Sequence, residues 1–320
     1  MSVNFNILDT QVGDRVLNSS AISNIIGIGN QWFCNEATGS DSNPGNYAYP
    51  FATLDAGLAA ATAAHGDTVY FQGSSHRTTT LNWNKTNVNL VGIESPSDNC
   101  RSRIAVSNSI TSGQMAALTS LVNVTAQGCS FINVATFYGT ANSNTPPTGG
   151  TCWLESGGRN YYQCVQFLGM GDTTSSADST ASSITLVGPN GENLFLNCTF
   201  GLDTITRSAA NATFILKSGT PRNIIRNGIF QMLTSSSGSF SISIPTSGID
   251  RYLLLDNCTF INAVDAGSTT ITEHISNGGG GSVIVQGGCY LGGPFASAST
   301  HVYTNLPVSA ATGGILTAST

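Results

Sequence analysis

LFLNCTF, from Leu194 to Phe200, decides the fold, because it returns as IIRNGIF from Ile224 to Phe230 and as LLDNCTF from Leu254 to Phe260. The interval is 30 residues each time. Looser copies are QGCSF ending at Phe131, QCVQF ending at Phe167 and QGGCY ending at Tyr290, so the terminal aromatics lie 36, 33, 30, 30 and 30 residues apart. A sustained period of this length marks a repeat architecture. Two residues before each aromatic stand Cys129, Val165, Cys198, Gly228, Cys258 and Gly288, small or apolar. The residues between are Ser130, Gln166, Thr199, Ile229, Thr259 and Cys289, mostly polar. This is the alternation of a strand with one buried face.

Just upstream the pattern turns polar, with Asn197, Asn227 and Asn257 at one register and Gln127, Gln163, Arg226, Asp256 and Gln286 beside it. Asparagine tolerates left-handed backbone and bonds its own neighbours, so its return at one register predicts a corner turned alike at every level. Before the corner Phe195, Ile225, Leu255 and Val285 are apolar again. Each unit is therefore strand, polar corner, strand. A unit of this size has too little core to fold alone and must stack on its neighbours. Stacking brings equivalent strands together in parallel, about 4.8 Å apart. The predicted fold is all-β, a right-handed parallel β-helix, with Phe, Ile, Leu, Val and the small Cys129, Cys198 and Cys258 filling its interior.

DTVYFQG (67–73) and NVNLVGI (87–93) fit two earlier coils, which sets the solenoid at 67–295. PFATLDAGLAAATAAHG (50–66) carries Ala and Leu at helical spacing and ends in Gly, so a short helix is expected over the open end of the core. The expected organisation is an N-terminal arm at 1–35, a loop and capping helix at 36–66, the solenoid, and a C-terminal cap or tail at 296–320.

Composition agrees. Only 9% of the 320 residues are charged and 36 are Gly, which suits short strands and tight turns and disfavours helical bundles. A net charge of -6 gives no electrostatic footprint for nucleic acid or an anionic membrane. The opening has no basic segment followed by an apolar run, and no window approaches a membrane span, so neither a signal peptide nor a membrane partner is expected. The eight cysteines form no CxxC pair, and His65, His76, His274 and His301 are scattered. No metal and no cofactor is expected.

GSDSNPGNYAYPFATLDAGLAAA followed by GDTVYFQG resembles the opening of right-handed β-helix proteins of the pectate-lyase-like class, and the NCTF coils are similar to theirs. The resemblance covers about residues 36–295. Many members are polysaccharide lyases or hydrolases, whereas others are virion proteins of tailed bacteriophages, among them tailspikes and capsid-surface proteins. Enzymes of the class place carboxylates on neighbouring coils. Here the corresponding residues are Asp172 and Asp203, with Asp265 two coils beyond and Arg207 as a partner for an acidic sugar. An Asp in GMGDTT or GLDT is equally an ordinary turn residue. His76 and Arg77 have no carboxylate near them in sequence, and the NTD, GDD and GHG signatures of polygalacturonases are absent. No catalytic residue is assigned, and the expectation is that the chain is not an enzyme.

If Phe195 and its equivalents face inward, Leu194, Ile224, Leu254 and Ile284 face outward as an apolar stripe, unless a bend inverts the parity and buries them. Self-association covers such a stripe most simply, and the phage relatives imply a homotrimer. The expected function is that of a capsid cement or decoration protein of a tailed phage, assembled in the host cytoplasm and bridging subunits of the major capsid protein on the virion surface. The alternatives are a tailspike or receptor-binding protein that recognises or cleaves host polysaccharide, and a polysaccharide lyase or hydrolase.

Overall fold

The computed structural model describes residues 29–94, 102–139, 144–263, 269–292 and 302–304. Most of the expected N-terminal arm, Asp265, and all of the expected C-terminal tail except Val302–Thr304 lie outside them. Each turn of chain places one strand in each of three sheets, and every strand pairing is parallel. The result is a right-handed parallel β-helix. The first sheet has ten strands, including Tyr161–Gln163, Leu194–Leu196, Thr220–Arg226, Ile249–Asp256 and Ser282–Gln286. The second includes Gln166–Leu168, Thr199–Phe200, Ile229–Thr234, Thr259–Ala263 and Tyr290–Gly292. The third has seven strands, among them Thr151–Glu155, Ser182–Val187, Ala212–Lys217, Phe240–Ile244 and Ile275–Asn277.

The corner between the first and second sheets is the predicted one. Asn197, Asn227 and Asn257 take φ of 54°, 52° and 53°, in the left-handed region. Their side chains form a ladder up the outside, Asn227 Nδ2 donating to Asn197 Oδ1 at 3.0 Å and Asn257 Nδ2 to Asn227 Oδ1 at 2.8 Å. At each of these three Asn the corner shifts the alternation by one residue, which leaves the preceding strand's parity intact and turns the even-numbered residues of the next strand inward. Phe195, Ile225, Leu255 and Val285 are buried, as are Phe200, Phe230 and Phe260.

The interior is a pair of aromatic stacks. Phe167, Phe200, Phe230 and Phe260 stack at centroid separations of 5.3, 4.5 and 4.7 Å along the second sheet. Phe131, Tyr162 and Phe195 stack at 5.1 and 4.6 Å along the first. Two sequence assignments change here. Phe131 pairs with Tyr162 and belongs to the first sheet, so the anomalous interval of 36 residues joined two different positions in the coil. Leu291, not Tyr290, pairs with Phe260, and Tyr290 is turned outward because the last coil is one residue longer.

The helix α1, Leu54–Ala60, seals the N-terminal end. Thr53 caps it by accepting from the Ala56 N–H, and Leu54 and Leu58 enter the core. The helix stops before the expected Gly66, where Lys85 Nζ reaches the carbonyls of Ala59 and Ala61. Arg77, buried in the second sheet, is paired with Asp55 on α1 and fastens helix to coil. The first sheet begins one rung before residue 67, with Gln31–Asn35 paired to Thr68–Gln72. Buried Asp67 holds that junction. Burial works against its charge, but hydrogen bonds from His65, the Thr62 and Asn30 N–H groups and Trp32 prevail and bring its carboxyl down to about 2. No helix among the described residues is long and apolar enough to cross a membrane.

Candidate functional site

Because alternation is strict, the outward face of the first sheet is a direct readout of every second residue. Tyr161, Leu194, Ile224, Leu254 and Ile284 stand in register on successive rungs. The first four are half-buried and Ile284 is 38% exposed. The predicted stripe is therefore present, with Tyr161 as a further rung. Towards the N-terminal end the apolar character moves to the neighbouring outward column, through Phe33, Tyr70 and Val91. Phe33 and Tyr70 stack at 5.1 Å.

Charges border the C-terminal half of the stripe, and each is matched on an adjacent rung. Glu192 accepts from Arg222 Nε and from Arg159 Nε, both at 3.1 Å, and these hydrogen bonds hold its carboxyl below the usual range. Arg226 Nε lies 3.3 Å from Asp256 Oδ2. The face is apolar along its middle and edged by paired charges, with Arg159 and Arg222 sharing the one carboxylate of Glu192.

On the second sheet a groove of about 390 Å³ runs beneath the turn after Phe200, walled by Leu168, Leu202, Ile229 and Ile261, with Gln166 and Asp203 among its polar groups. Asp203 is exposed there. Asp172 has a different task. It is the N-cap of α2, Thr173–Ser176, and its Oδ1 accepts from the N–H groups of Thr174 and Ser175 at 3.0 and 2.8 Å. Asp172 is not among the residues lining the groove that Asp203 borders. Arg207 is not available to a sugar either. It is buried, with Nη2 donating to Thr213 Oγ1 at 2.7 Å, and desolvation lowers its guanidinium pKa to about 9.

His76 and Arg77 acquire the carboxylates that the local sequence lacked. Glu36 accepts from the His76 N–H at 2.6 Å and lies 2.9 Å from its Nδ1, while Arg77 pairs with Asp55. Trp83 and Trp153 are core residues, and the exposed aromatic surface among the described residues comes from Tyr47, Tyr49 and Tyr290. Tyr47 meets Phe33 edge-on at 5.6 Å beside a pocket of about 220 Å³ that Asn35 and Gln72 also line. Among the described residues no three His, Cys, Asp or Glu side chains converge as a metal site.

Sequence reading missed two internal features. Asn160, Asn193 and Asn223 form a buried ladder in which the N–H of one residue donates to the side-chain oxygen of the next, at 3.0 and 3.1 Å. Each stands seven residues before its stacked aromatic, a spacing legible in Phe167, Phe200 and Phe230. The other is Glu155, a buried carboxyl that accepts from the Tyr162 hydroxyl, from the Gly158 N–H at 2.7 Å and from Asn160 Nδ2 at 3.1 Å. Desolvation raises it to about 7 despite those bonds.

No family model and no curated protein matches the chain. Solved structures do. Pectin methylesterase PemA from Erwinia chrysanthemi is 13% identical, with 92% of this chain and 94% of that one covered at a TM-score of 0.50. The GH136 lacto-N-biosidase from Eubacterium ramulus is 9% identical at a TM-score of 0.47, and this chain, covered over 91%, spans 62% of its length. ORF18 of Geobacillus virus E2 is 13% identical at 0.43, with 92% of this chain and 63% of that one covered. At such identities the shared property is the β-helix itself. The expectation that the chain is not an enzyme is corrected by these likenesses: enzymes are built on this fold at nearly full-length coverage, so the fold gives no ground for excluding catalysis.

Proposed function

We propose that the chain is a structural component of a tailed-phage particle, a cement or decoration protein that associates as a trimer and bridges subunits of the major capsid protein. The observation that supports this reading is the outward face of the first sheet, where five apolar side chains stand in register between charges already paired within the chain. A contiguous apolar strip is costly in water and is hidden by association. Like faces brought together would leave these charges at the rim, already hydrogen-bonded within each chain, and so avoid stranding them unpaired in the buried middle. Bridging is then mechanical, since contact area buried across a joint must be re-exposed before the joint opens.

Sedimentation equilibrium tests the assembly. The wild-type chain is expected to be trimeric and the Ile224→Lys, Leu254→Lys double variant monomeric, with an unchanged β-sheet circular dichroism spectrum. A monomeric wild type defeats the self-association. Many copies per particle by quantitative mass spectrometry support capsid decoration, whereas a handful supports a tail appendage.

The groove on the second sheet favours a second reading, recognition or cleavage of a host polysaccharide, because apolar walls with a few amide and carboxylate groups suit a sugar ring. Release of reducing ends from host polysaccharide, lost in Asp203→Ala, is the outcome that would put this reading first.

A further inference from the structure

Strand register sets two of the free cysteines directly one above the other. Thr259 pairs with Tyr290 and Phe260 with Leu291, so Cys258 and Cys289 occupy equivalent places immediately before the adjacent strands Thr259–Ala263 and Tyr290–Gly292, where the chain leaves the corner. Both are buried. Their contact is direct. The Cys258 N–H donates to Cys289 Sγ at 3.1 Å, while the Cys258 thiol donates to the Ile225 and Asp256 carbonyls at 3.5 and 3.6 Å and the Cys289 thiol to the Gln286 carbonyl at 3.3 Å. At the equivalent position the rungs below carry Val165, Cys198 and Gly228, so no other pair of adjacent rungs in this file of residues brings two thiols together.

We propose that Cys258 and Cys289 are a paired oxidation site that closes into a disulfide linking these two rungs. Neighbouring parallel strands lie about 4.8 Å apart, inside the Cα separation a disulfide accepts, roughly 4.4–6.8 Å. Drawing the two Cβ atoms to bonding distance asks the upper rung to settle by about 1 Å. In a stack where each coil is held only by its neighbours, coils towards an end open more readily than those in the middle, and opening also admits a small oxidant.

The two sulfurs have distinct roles. Cys289 is the nucleophile, because the Cys258 N–H donates to its sulfur and so favours thiolate there. Cys258, whose thiol donates to backbone carbonyls and is pushed up by the neighbouring Cys289 and by burial, is the resolving partner. With hydrogen peroxide as oxidant, the Cys289 thiolate attacks one oxygen and breaks the O–O bond. Hydroxide leaves, takes up a proton to become water, and a sulfenic acid remains on Cys289. The Cys258 sulfur then attacks that sulfur, displaces the hydroxyl as a second water and loses its own proton. Two thiols are oxidised and one peroxide is reduced to two waters.

Treating the folded full-length chain with hydrogen peroxide, quenching, and counting thiols after denaturation tests this. The expected result is a fall from eight thiols to six, a mass lower by about 2 Da, and a proteolytic peptide pair joined through Cys258 and Cys289. The linkage should vanish in Cys289→Ser and in Cys258→Ala, and reductant should restore all eight thiols. The oxidised chain should melt on the order of 5 °C higher, because the bond closes a loop spanning a whole coil. Eight thiols surviving in the folded wild type, or a linkage that joins other cysteines, would overturn the assignment. Because the wild type carries the decisive measurement, a variant that fails to fold does not rescue the idea.

Discussion

Glu155 shows how stacking converts an unremarkable residue into a titratable element of the core. In TCWLESGG nothing marks it, since a Glu after a short apolar run reads as the end of a strand. Its burial arises only when the coils above and below close over it, so no local pattern could have disclosed it. The consequence is a pH dependence. In the unfolded chain the carboxyl titrates near its ordinary 4.5, whereas in the folded chain desolvation holds it at about 7. Between those values the folded state binds the extra proton, so stability falls as pH rises through this window. The loss at alkaline pH is on the order of 3 kcal/mol. Urea unfolding at pH 5 and pH 8 should show the wild type more resistant at pH 5, and Glu155→Gln should flatten the difference. An equally steep profile in Glu155→Gln would assign the pH dependence to other groups.

At the scale of the element, the corner between the first and second sheets was the part most open to sequence reading, for a reason that lies in the backbone. A left-handed residue is costly for most side chains and cheap for Asn and Gly, so the requirement is written locally at Asn197, Asn227 and Asn257 and holds the corner at constant distance from its aromatic. The third sheet has no such mark. Ile184, Phe214, Ile242 and Ile275 lie 17, 14, 12 and 15 residues beyond the stacked Phe167, Phe200, Phe230 and Phe260, because turns such as the one holding α2 vary in length from coil to coil. Variable spacing hides a periodic strand even where its residues are strongly apolar. Phe131 was misplaced for another reason: Thr136, not an aromatic, pairs with Phe167, so at that position its rung of the second sheet carries no aromatic mark. Asn227 lies mid-ladder and both bonds pass through it, so Asn227→Ala forfeits them and places a Cβ-bearing residue with no compensating side chain in left-handed backbone. A destabilisation of about 1–3 kcal/mol is expected. Asn227→Gly keeps the backbone and loses only the ladder, so denaturant titration should place it between Ala and wild type. A Gly variant no better than Ala would show that the side-chain ladder, and not the turn, carries the stability.

Across the whole molecule each coil touches only its neighbours, so stability propagates along the axis and a defect should be felt according to its place. The aromatic stack allows a comparison by position, since Phe200 and Phe260 stand in one file of residues at different places along it. Phe200 has stacked rings on both sides. Phe260 has Phe230 below it and Leu291 above. Truncating either ring to Ala removes stacking and leaves a cavity, at a local cost of about 3–5 kcal/mol. In the middle of the array that cost weakens the coupling between two long segments, whereas near the C-terminal end it detaches only the coils beyond it. Native-state hydrogen exchange should therefore show Phe260→Ala losing protection over Ile249–Asp256, Thr259–Ala263 and Ser282–Gln286 while Ser120–Val124 and Thr151–Glu155 stay protected as in wild type. Phe200→Ala should lower protection on both sides of the defect. Uniform loss of protection in both variants would mean that the solenoid unfolds as one cooperative body, and that the covering of its first-sheet face, rather than coil-by-coil stacking, sets the size of the cooperative unit.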